Sequence, residues 1–316
     1  MIGNILVTGG ASGLGRATVT AVARAGGRPL VIDVTAPPDA AEPAYATHGR
    51  APAGRGRAAR AEHASRDGAL TAEAGMREAV DPLVKPGGTA PGSGNGHRGG
   101  LTDGGLTGGG DRGGGAGRAG GRDLMGGVAP GDHVVADLAD REQAERAVRE
   151  LAERAGGLYG VVTAAGIDRC GPLEKVGADE WERVIHVNLL GTVSVIRAAL
   201  PYLTRSGGRV VTVASTLGLR SVSDATAYCA AKAGVVGFTR ALAAELAGRV
   251  GVTLLVPGGM RTPFFDDRDD QYKPGPDADL NSPEDVAATV VFALGMPRGC
   301  EVRELVVCPA RETSWP

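Results

Sequence analysis

The sequence predicts a doubly wound α/β fold, in which a parallel sheet carries helices on both of its faces. Three observations support it. Short apolar runs alternate with helical segments through most of the chain, which is the order of a parallel α/β sheet. The runs are nearly continuous rather than alternating with polar residues, as strands buried on both faces require. A glycine-rich turn, residues 8–15, joins the first run to the first helical segment.

The predicted strands are short apolar runs that end in glycine, proline or polar residues. The first two flank the first helix, the third resumes after a long interruption, and the other four alternate with helices. They are residues 2–8, 29–34, 133–136, 159–164, 209–214, 252–256 and 302–307.

The first two helices are predicted from the spacing of their apolar residues. Residues 16–25 carry small apolar side chains at helical spacing and stop at Gly26 and Gly27, which suit a helix C-terminus. Residues 140–155 form a charged amphipathic helix, with Val148 among the residues of its apolar face.

Three further helices complete the alternation. Residues 178–203 and 223–247 predict two long helices. The last helix begins at Ser282, a suitable N-cap, with Pro283 in the first helical position, where the missing N–H has no helical partner to lose.

The alternation breaks after the second strand. Residues 86–131 hold 21 glycines in 46 positions and almost no large apolar side chains, so this stretch cannot bury enough surface to offset the entropy of ordering it. We therefore expect one domain, formed by residues 1–34 and 132–316, and a glycine-rich, disordered insertion at residues 35–131.

Arginine–glycine pieces in the insertion, such as residues 111–115, are a pattern also found in segments that bind nucleic acid. No aromatic residues on which bases could stack are interleaved with these arginines, and acidic residues are scattered among them. The formal net charge of the chain is −2. We therefore expect an inert linker and no nucleic-acid partner.

Composition indicates a cytoplasmic protein. The first residues lack a basic region followed by a long apolar segment, so we expect neither a signal peptide nor an anchor. No stretch approaches the ~18 apolar residues of a membrane span, and we expect no membrane partner. The cysteines lie far apart without metal-ligand spacing, which indicates reduced thiols and no metal site.

The glycine-rich turn is a candidate phosphate-binding loop. Its glycines let the backbone approach a pyrophosphate closely, and the helix that follows presents free N–H groups and the positive end of its dipole. A strand before the turn and a helix after it supply the context that this motif needs. The residues expected to contact a dinucleotide here are Thr8, Gly9, Ser12, Gly13, Leu14 and Gly15.

Asp33 lies at the end of the second predicted strand, directly after an apolar run. In this fold an acidic side chain there accepts hydrogen bonds from the adenosine ribose hydroxyls, and it would repel the additional phosphate of NADP. Neither Ser12 nor Val34 offers a positive charge to hold that phosphate. The sequence therefore favours NAD over NADP as cofactor.

Tyr228 and Lys232 are four residues apart in a predicted helix, so they share one face. A phenol ordinarily loses its proton at about pH 10, but a neighbouring ammonium group and a bound nicotinamide cation both lower the pKa of the phenol. The pair therefore predicts a general acid/base that works near neutral pH. Taken alone, the same spacing occurs by chance in many helices.

Ser215 and Asn188 are the further catalytic candidates. Ser215 follows the strand before that helix, thirteen residues ahead of Tyr228, where its hydroxyl could hold a substrate oxygen beside the phenol. Asn188 lies inside a predicted helix, where asparagine is unfavourable, which suggests a special role. The ordinary alternatives are a hydrogen-bonded strand-end hydroxyl for Ser215 and a surface polar group for Asn188.

In order and spacing these residues resemble the single-domain branch of the short-chain dehydrogenase/reductase family, over nearly all the chain outside the insertion. The spacing TGxxxGxG differs from the TGxxGxxG of the extended branch of that family. The matching motifs are Thr8-Gly9 with Gly13 and Gly15, Asp137-Leu138, Ala164-Ala165-Gly166, Asn188, Ser215, Tyr228 with Lys232, and Pro257-Gly258.

The resemblance implies a Rossmann fold and reversible hydride transfer between NAD and a secondary alcohol or ketone. By this resemblance, Tyr228 exchanges the proton with the substrate oxygen, and Lys232 binds the nicotinamide ribose and lowers the pKa of the phenol. Ser215 orients the substrate, and Asn188 holds a water in the proton relay. The remaining expected cofactor contacts are Asp137 beside the adenine, Leu138, Ala165, Gly166, Pro257, Gly258, and Thr262 at the carboxamide.

The chain departs from the family pattern in two places. Thr163 leads the sequence Thr-Ala-Ala-Gly, where the family has Asn-Asn-Ala-Gly. That leading asparagine usually braces the sheet, so the resemblance implies an effect on stability more than on chemistry. The second departure is the insertion at residues 35–131, where a helix of the family normally crosses the sheet.

Residues 260–280 follow the sixth predicted strand and should form the substrate side of the site, because ligands lie at the carboxyl ends of the strands. Phe264 and Phe265 could cap an apolar pocket, which favours an apolar alcohol or ketone as the small-molecule substrate. The charged run at residues 266–270 is interpreted as solvent-exposed.

Two rival functions use the same fold. One is a catalytically silent NAD-binding sensor or scaffold, and the other is a related chemistry such as dehydration or isomerisation. The complete set of catalytic residues favours the dehydrogenase, because drift would erode that set in a silent protein. By resemblance, the long helices at residues 178–203 and 223–247 imply a homodimer or homotetramer.

Overall fold

The structure is a computed structural model that describes residues 2–35, 128–129 and 131–312. Of the predicted insertion at residues 35–131, it describes residues 35, 128, 129 and 131 alone. The predicted disorder of that segment therefore lies outside the described residues and stays a prediction.

Seven parallel strands form one sheet in the order β3-β2-β1-β4-β5-β6-β7. The strand order reverses between β1 and β4, and this reversal opens a crevice at the carboxyl ends of those strands. The arrangement confirms the predicted doubly wound, Rossmann-type fold. The strands are β1 (Asn4–Thr8), β2 (Arg28–Asp33), β3 (His133–Val135), β4 (Gly160–Thr163), β5 (Arg209–Val213), β6 (Gly251–Pro257) and β7 (Glu304–Val307).

Helices cover both faces of this sheet. Ile5 and Val7 of β1 pack with α1 and α6 on one face, whereas Leu6 packs with α2, α4 and the end of α5 on the other. Because successive strand residues point to opposite faces, a strand covered on both sides must be apolar throughout. The helices are α1 (Gly13–Arg24), α2 (Arg141–Arg154), α3 (Ala178–Ile185), α4 (Thr192–Ser206), α5 (Thr226–Glu245) and α6 (Pro283–Leu294).

Strands β2 and β3 pair directly, with Val31 opposite His133, although residues 34–132 lie between them in the sequence. The Arg28 guanidinium donates two hydrogen bonds to Asp132, next to that pairing. The segments before and after the predicted insertion therefore contribute adjacent strands to one sheet.

The predicted helix at residues 178–203 is not one regular helix. A π-helical turn, His186–Gly191, separates α3 from α4. Such turns are rare and often mark functional sites. Asn188 lies in this turn and is fully buried, so the interpretation of Asn188 as a surface polar group is wrong.

The helical stretch Ala178–Ser206 is long and apolar enough, by length and composition, to cross a membrane, contrary to the expectation from the sequence. However, 56% of its most apolar window is buried inside the fold. Core helices of soluble proteins pass the same test, so among the described residues this stretch is weak evidence for a membrane span.

The starts of the last two helices show how local geometry decides a helix boundary. Helix α5 begins at Thr226 rather than at residue 223, because Asp224 has a φ of 58°, in the left-handed region. Helix α6 begins as predicted: Ser282 accepts a hydrogen bond from the Asp285 N–H at 3.1 Å, and Pro283 is the first helical residue.

Candidate active site

A cavity of about 990 Å³ opens along the carboxyl ends of the central strands. Its volume is at the upper end of the roughly 300–1,000 Å³ usual for ligand sites. The glycine-rich turn and residues 260–280, the predicted substrate loop, both contribute to its lining. The predicted site residues that line it are Gly9, Ser12, Gly13, Leu14, Gly15, Asp33, Asp137, Leu138, Ala165, Gly166, Ser215, Tyr228, Lys232, Pro257, Gly258 and Thr262.

The glycine-rich turn has room only for glycine at two positions. A Cβ on Gly15 would lie 2.0 Å from the carbonyl oxygen of Gly9. Gly9 has a φ of +72°, and a Cβ there would lie 2.8 Å from the Ala165 Cα. Ser12 is the N-cap of α1, but its side chain makes no capping hydrogen bond. The first turn of α1 therefore presents N–H groups that the Ser12 side chain does not occupy, which suits an anionic pyrophosphate.

Asp33 is fixed at the end of β2 by the backbone around it. Its Oδ2 accepts a hydrogen bond from the Ala11 N–H at 2.9 Å, and its Oδ1 accepts one from the Thr35 N–H at 3.3 Å. Asp137, further along the same wall, instead pairs with Arg183 at 3.1 Å. The carboxylate predicted to select the cofactor is therefore held beside the glycine-rich turn.

Tyr228, Lys232 and Ser215 meet at the carboxyl end of β5. Tyr228 and Lys232 are both buried on one face of α5. The Ser215 side chain forms a hydrogen bond with Tyr228 and accepts another from the Leu217 N–H at 3.1 Å. The Lys232 Nζ donates to the Val213 carbonyl at 2.9 Å. The structure thus brings together three of the four predicted catalytic side chains.

Burial dominates the ionisation of the two central groups. It raises the pKa of the Tyr228 phenol above its ordinary value, and the hydrogen bond with Ser215 offsets part of that rise. Burial also lowers the pKa of Lys232 to about 8. The phenol is therefore protonated at neutral pH, the form that donates a proton, and the lowering of its pKa by Lys232 stays a prediction.

Thr8 and Asn188 lie behind the cavity wall rather than in it. The buried Thr8 Oγ1 accepts a hydrogen bond from the Ala165 N–H at 3.2 Å. The Asn188 Oδ1 accepts from the Ile167 N–H, and its Nδ2 donates to the Ile167 carbonyl, each at 2.8 Å. Both side chains hold the segment after β4 in place, so their contribution to the site is to position its wall.

Thr163 occupies the position at which the resembled family carries an asparagine that braces the sheet. It lies at the end of β4 and is buried, and its Oγ1 has no hydrogen-bond partner within the described ranges. A buried unpaired hydroxyl lowers stability. The backbone of β4 still pairs with Thr8 of β1 and Thr212 of β5, so the geometry of the strand is kept.

The sequence did not predict a role for two charged residues, of which Arg268 lines the cavity and Asp168 lies beside it. Asp168 and Arg268 form an ion pair of 2.6 Å with side chains only 2% and 15% exposed. The interpretation of residues 266–270 as solvent-exposed is therefore wrong for Arg268, whose guanidinium packs on the rings of Phe264 and Phe265. The available signal was the position of Asp168, just beyond the carboxyl end of β4, and the single arginine within an acidic run.

Sequence comparison places this chain among known oxidoreductases. Residues 130–273 match the family model for short chain dehydrogenase. A hydroxy(phenyl)methylsuccinyl-CoA dehydrogenase subunit of Thauera aromatica is 35% identical over 56% of this chain and 74% of its own length. The 3-oxoacyl-(acyl-carrier-protein) reductases of Thermotoga maritima and Homo sapiens are 33% and 34% identical, over 51% and 53% of this chain and 68% and 73% of theirs.

Solved structures share the fold. An alcohol dehydrogenase from the archaeon Thermococcus sibiricus, complexed with 5-hydroxy-NADP, superposes with a TM-score of 0.63 at 18% identity, over 100% of this chain and 99% of its own. The aldohexose dehydrogenase of Thermoplasma acidophilum gives a TM-score of 0.61 at 18% identity, over 96% and 92%. These identities show the fold alone, whereas the sequence relatives show the family. The chain belongs to the short-chain dehydrogenase/reductase family of oxidoreductases.

Proposed function

We propose that this protein is an NAD-dependent oxidoreductase that interconverts a secondary alcohol and a ketone, with Tyr228 as its acid/base. The observation that carries the proposal is the convergence of Tyr228, Lys232 and Ser215 at the carboxyl end of β5. They line the same cavity as the glycine-rich turn and Asp33. A proton-transfer group and a dinucleotide-binding turn therefore open onto one space.

The nicotinamide cofactor, when bound, supplies the hydride acceptor or donor. The residues of the chain handle the proton. In ketone reduction, the Tyr228 O–H bond breaks and its proton passes to the substrate oxygen as hydride reaches the carbonyl carbon. Ser215 holds the same oxygen through its hydroxyl. In alcohol oxidation the phenolate of Tyr228 accepts the proton from the substrate hydroxyl.

Lys232 and Asn188 support that proton transfer. The ammonium group of Lys232 favours the phenolate form of Tyr228 and opposes the effect of burial. Its bond to the Val213 carbonyl fixes it at the end of β5, where it can also bind a ribose hydroxyl. Asn188 positions Gly166 and Ile167 and serves the relay through that wall.

Asp33 supports NAD rather than NADP as the preferred cofactor. Its carboxylate is held beside the glycine-rich turn by the Ala11 N–H, and an acidic group at this strand end binds ribose hydroxyls and repels a ribose phosphate. The structurally similar alcohol dehydrogenase of Thermococcus sibiricus was solved with 5-hydroxy-NADP, and the assay below therefore compares NAD with NADP directly.

The substrate is a small alcohol or ketone with an apolar body. Phe264 and Phe265 line the substrate end of the cavity and supply its apolar surface. Two similar proteins are named for 3-oxoacyl chemistry and a third for a succinyl-CoA alcohol. A 3-oxoacyl thioester therefore belongs in the substrate panel beside simple secondary alcohols.

The remaining proposals concern organisation. Residues 1–34 and 132–316 form one domain, which the direct pairing of β2 with β3 supports, and residues 35–131 are an insertion. The protein is cytoplasmic and assembles as a homodimer or homotetramer through the α3–α4 and α5 side of the molecule. Light scattering on the purified full chain measures the assembly state, and a monomer would contradict the proposed homodimer or homotetramer.

The test of function is the absorbance of the reduced nicotinamide, with NAD or NADP and a panel of secondary alcohols, and with NADH or NADPH and the corresponding ketones and acetoacetyl-CoA. We expect turnover that prefers NAD and falls at least ~100-fold in Tyr228→Phe. Tyr159→Phe, at the opposite end of β4, is the matched control and should keep full activity. Undiminished turnover in Tyr228→Phe, or NADH binding without turnover of any substrate in wild type, would contradict the proposal; the second result favours the silent sensor.

A further inference from the structure

Asp168 and Arg268 link two separate loops of the site. Asp168 follows β4, two residues after Gly166, and Arg268 belongs to the substrate loop, 100 residues later in the chain. The Arg268 Nη2 lies 2.6 Å from the Asp168 Oδ2, and both side chains are largely withdrawn from water. This ion pair therefore ties the substrate loop to the fixed edge of the sheet.

Arg268 also supports the aromatic wall beside the phenol. Its Cζ lies 5.0 Å from the centroid of the Phe264 ring and 4.7 Å from that of Phe265. The Phe264 ring in turn lies 5.5 Å from the Tyr228 ring, centroid to centroid. The guanidinium, the Phe264 ring and the phenol thus form one continuous row, so moving Arg268 would remove support from the ring that shields Tyr228.

A second contact fastens the same loop. The Tyr272 hydroxyl donates to the Asp224 Oδ2 at 3.2 Å, and Asp224 precedes Tyr228 by four residues. The Arg268 Nη1 donates to the Tyr272 carbonyl at 3.3 Å. The first contact joins the substrate loop to the segment that precedes Tyr228. The second lies within the loop and connects Arg268 to the residue that makes the first contact.

The two charges act on the phenol in opposite directions. Asp168 raises the pKa of Tyr228, whereas Arg268 lowers it. The other polar groups facing the phenol are Ser215 at the end of β5, and Lys232 and Cys229 on α5. With the loop closed, the charges offset each other; with Arg268 withdrawn, Asp168 alone would remain and disfavour the phenolate.

We infer that the Asp168–Arg268 ion pair couples closure of the substrate loop to proton transfer at Tyr228, because withdrawal of Arg268 with the loop would leave the Asp168 carboxylate uncompensated near the phenol. Both are positioning residues, since they act through Phe264 and Tyr228. The inference rests on the proposed role of Tyr228 as acid/base.

The test is the pH dependence of kcat/KM for alcohol oxidation, with the alcohol of the panel that wild type oxidises fastest. In this direction activity rises with pH as Tyr228 ionises. We expect Arg268→Gln to move that rise to higher pH, with a loss on the order of tenfold at neutral pH, and Asp168→Asn to move it to lower pH. Asp168 also raises the pKa of Lys232, so loss of that carboxylate shifts both coupled titrations downward. The double variant should return close to the wild-type midpoint.

A purely structural clasp predicts a different pattern, in which both single variants lose activity and the midpoint stays unmoved. That result would overturn the coupling. Arg268→Lys retains the charge and should keep the wild-type midpoint. Arg240→Gln breaks an exposed arginine–carboxylate pair between α5 and Glu304 of β7, neither of which lines the cavity at these positions, and serves as the matched control. If Asp168→Asn does not fold, as a thermal unfolding scan would show, the contrast between Arg268→Gln and Arg268→Lys decides the matter.

Failure of this inference can be told apart from failure of the proposed function. An active Tyr228→Phe variant would remove the acid/base role and the coupling with it. An inactive Tyr228→Phe variant, combined with unmoved midpoints in the Arg268 and Asp168 variants, would overturn the coupling and leave the proposed function standing.

Discussion

Lys232 lies one helical turn beyond Tyr228, with its Nζ 5.6 Å from the centroid of the phenol ring and 2.9 Å from the Val213 carbonyl oxygen. Both side chains are buried. The chain therefore holds an ionisable amine where water solvates it poorly, and burial lowers its pKa to about 8. An amine in this position favours a phenolate beside it but weakens the fold while it carries its charge.

This relationship predicts a pH-dependent stability. The pKa of Lys232 falls from its ordinary 10.5 to about 8 on folding. Between those values the unfolded chain binds the proton more readily, so the contribution of Lys232 to the free energy of unfolding rises with pH across that window and is lowest below it. We therefore expect the free energy of unfolding of Lys232→Met, measured relative to wild type, to be highest below pH 8. This difference should decrease by on the order of 3 kcal/mol towards pH 10.5.

Urea denaturation of both proteins across this pH range measures the difference. The hydrogen bond to Val213 is lost in Lys232→Met at every pH, so it does not contribute to the slope. If the difference in the free energy of unfolding between the two proteins does not change with pH, burial does not lower the pKa of Lys232 as predicted.

Asn188 should matter for both stability and activity. Its side-chain amide satisfies the N–H and carbonyl of Ile167, and Asn188→Ala leaves both of these partly buried groups without that partner. We expect the free energy of unfolding to fall by about 2–3 kcal/mol. Activity should also fall, by on the order of tenfold or more, because the wall that carries Gly166 loses its anchor.

Asn4→Ala is the matched control for Asn188. The Asn4 amide donates to the carbonyls of Ala155 and Gly157, each at 2.9 Å, at the other end of the sheet. Chemical denaturation and turnover are measured on both variants. Asn4→Ala should lose stability but keep its kcat, and an equal loss of kcat in the two variants would show that Asn188 acts only through stability.

Asp33→Asn should weaken the preference for NAD. Asparagine can still accept the hydrogen bond from the Ala11 N–H, so the turn is kept while the charge is removed. Without that charge the repulsion of a ribose phosphate disappears, and the ratio of kcat/KM with NAD to that with NADP should fall at least about tenfold, or ~1.4 kcal/mol. Asp137 lines the same cavity but is paired with Arg183 in wild type. Asp137→Asn should therefore leave the ratio nearly unchanged. An unaltered ratio in Asp33→Asn would mean that another group selects the cofactor.

Much of the fold and part of the site could be read from the sequence because the signals are local. Strand β1, the glycine-rich turn and helix α1 follow each other directly, and a glycine is required at position 15 because any side chain would meet the Gly9 carbonyl oxygen. Tyr228 and Lys232 share a helix face because the helix repeats every ~3.6 residues. Ser282 and Pro283 mark the start of α6 by capping chemistry that needs no tertiary contact.

Other features were decided only by the tertiary structure, because they depend on residues distant in the sequence. The π-helical turn at Asn188 meets Ile167 on the segment after β4, 21 residues earlier. Arg268 lies in a run that reads as solvent-exposed, yet the packing of the substrate loop buries it against Phe264 and gives it Asp168, 100 residues away, as its partner. Burial, which no residue spacing reveals, raises the pKa of Tyr228 and lowers that of Lys232. The sequence by itself thus determined which groups are present and on which element each one lies, whereas the folded chain determined which of them meet and how much water each retains.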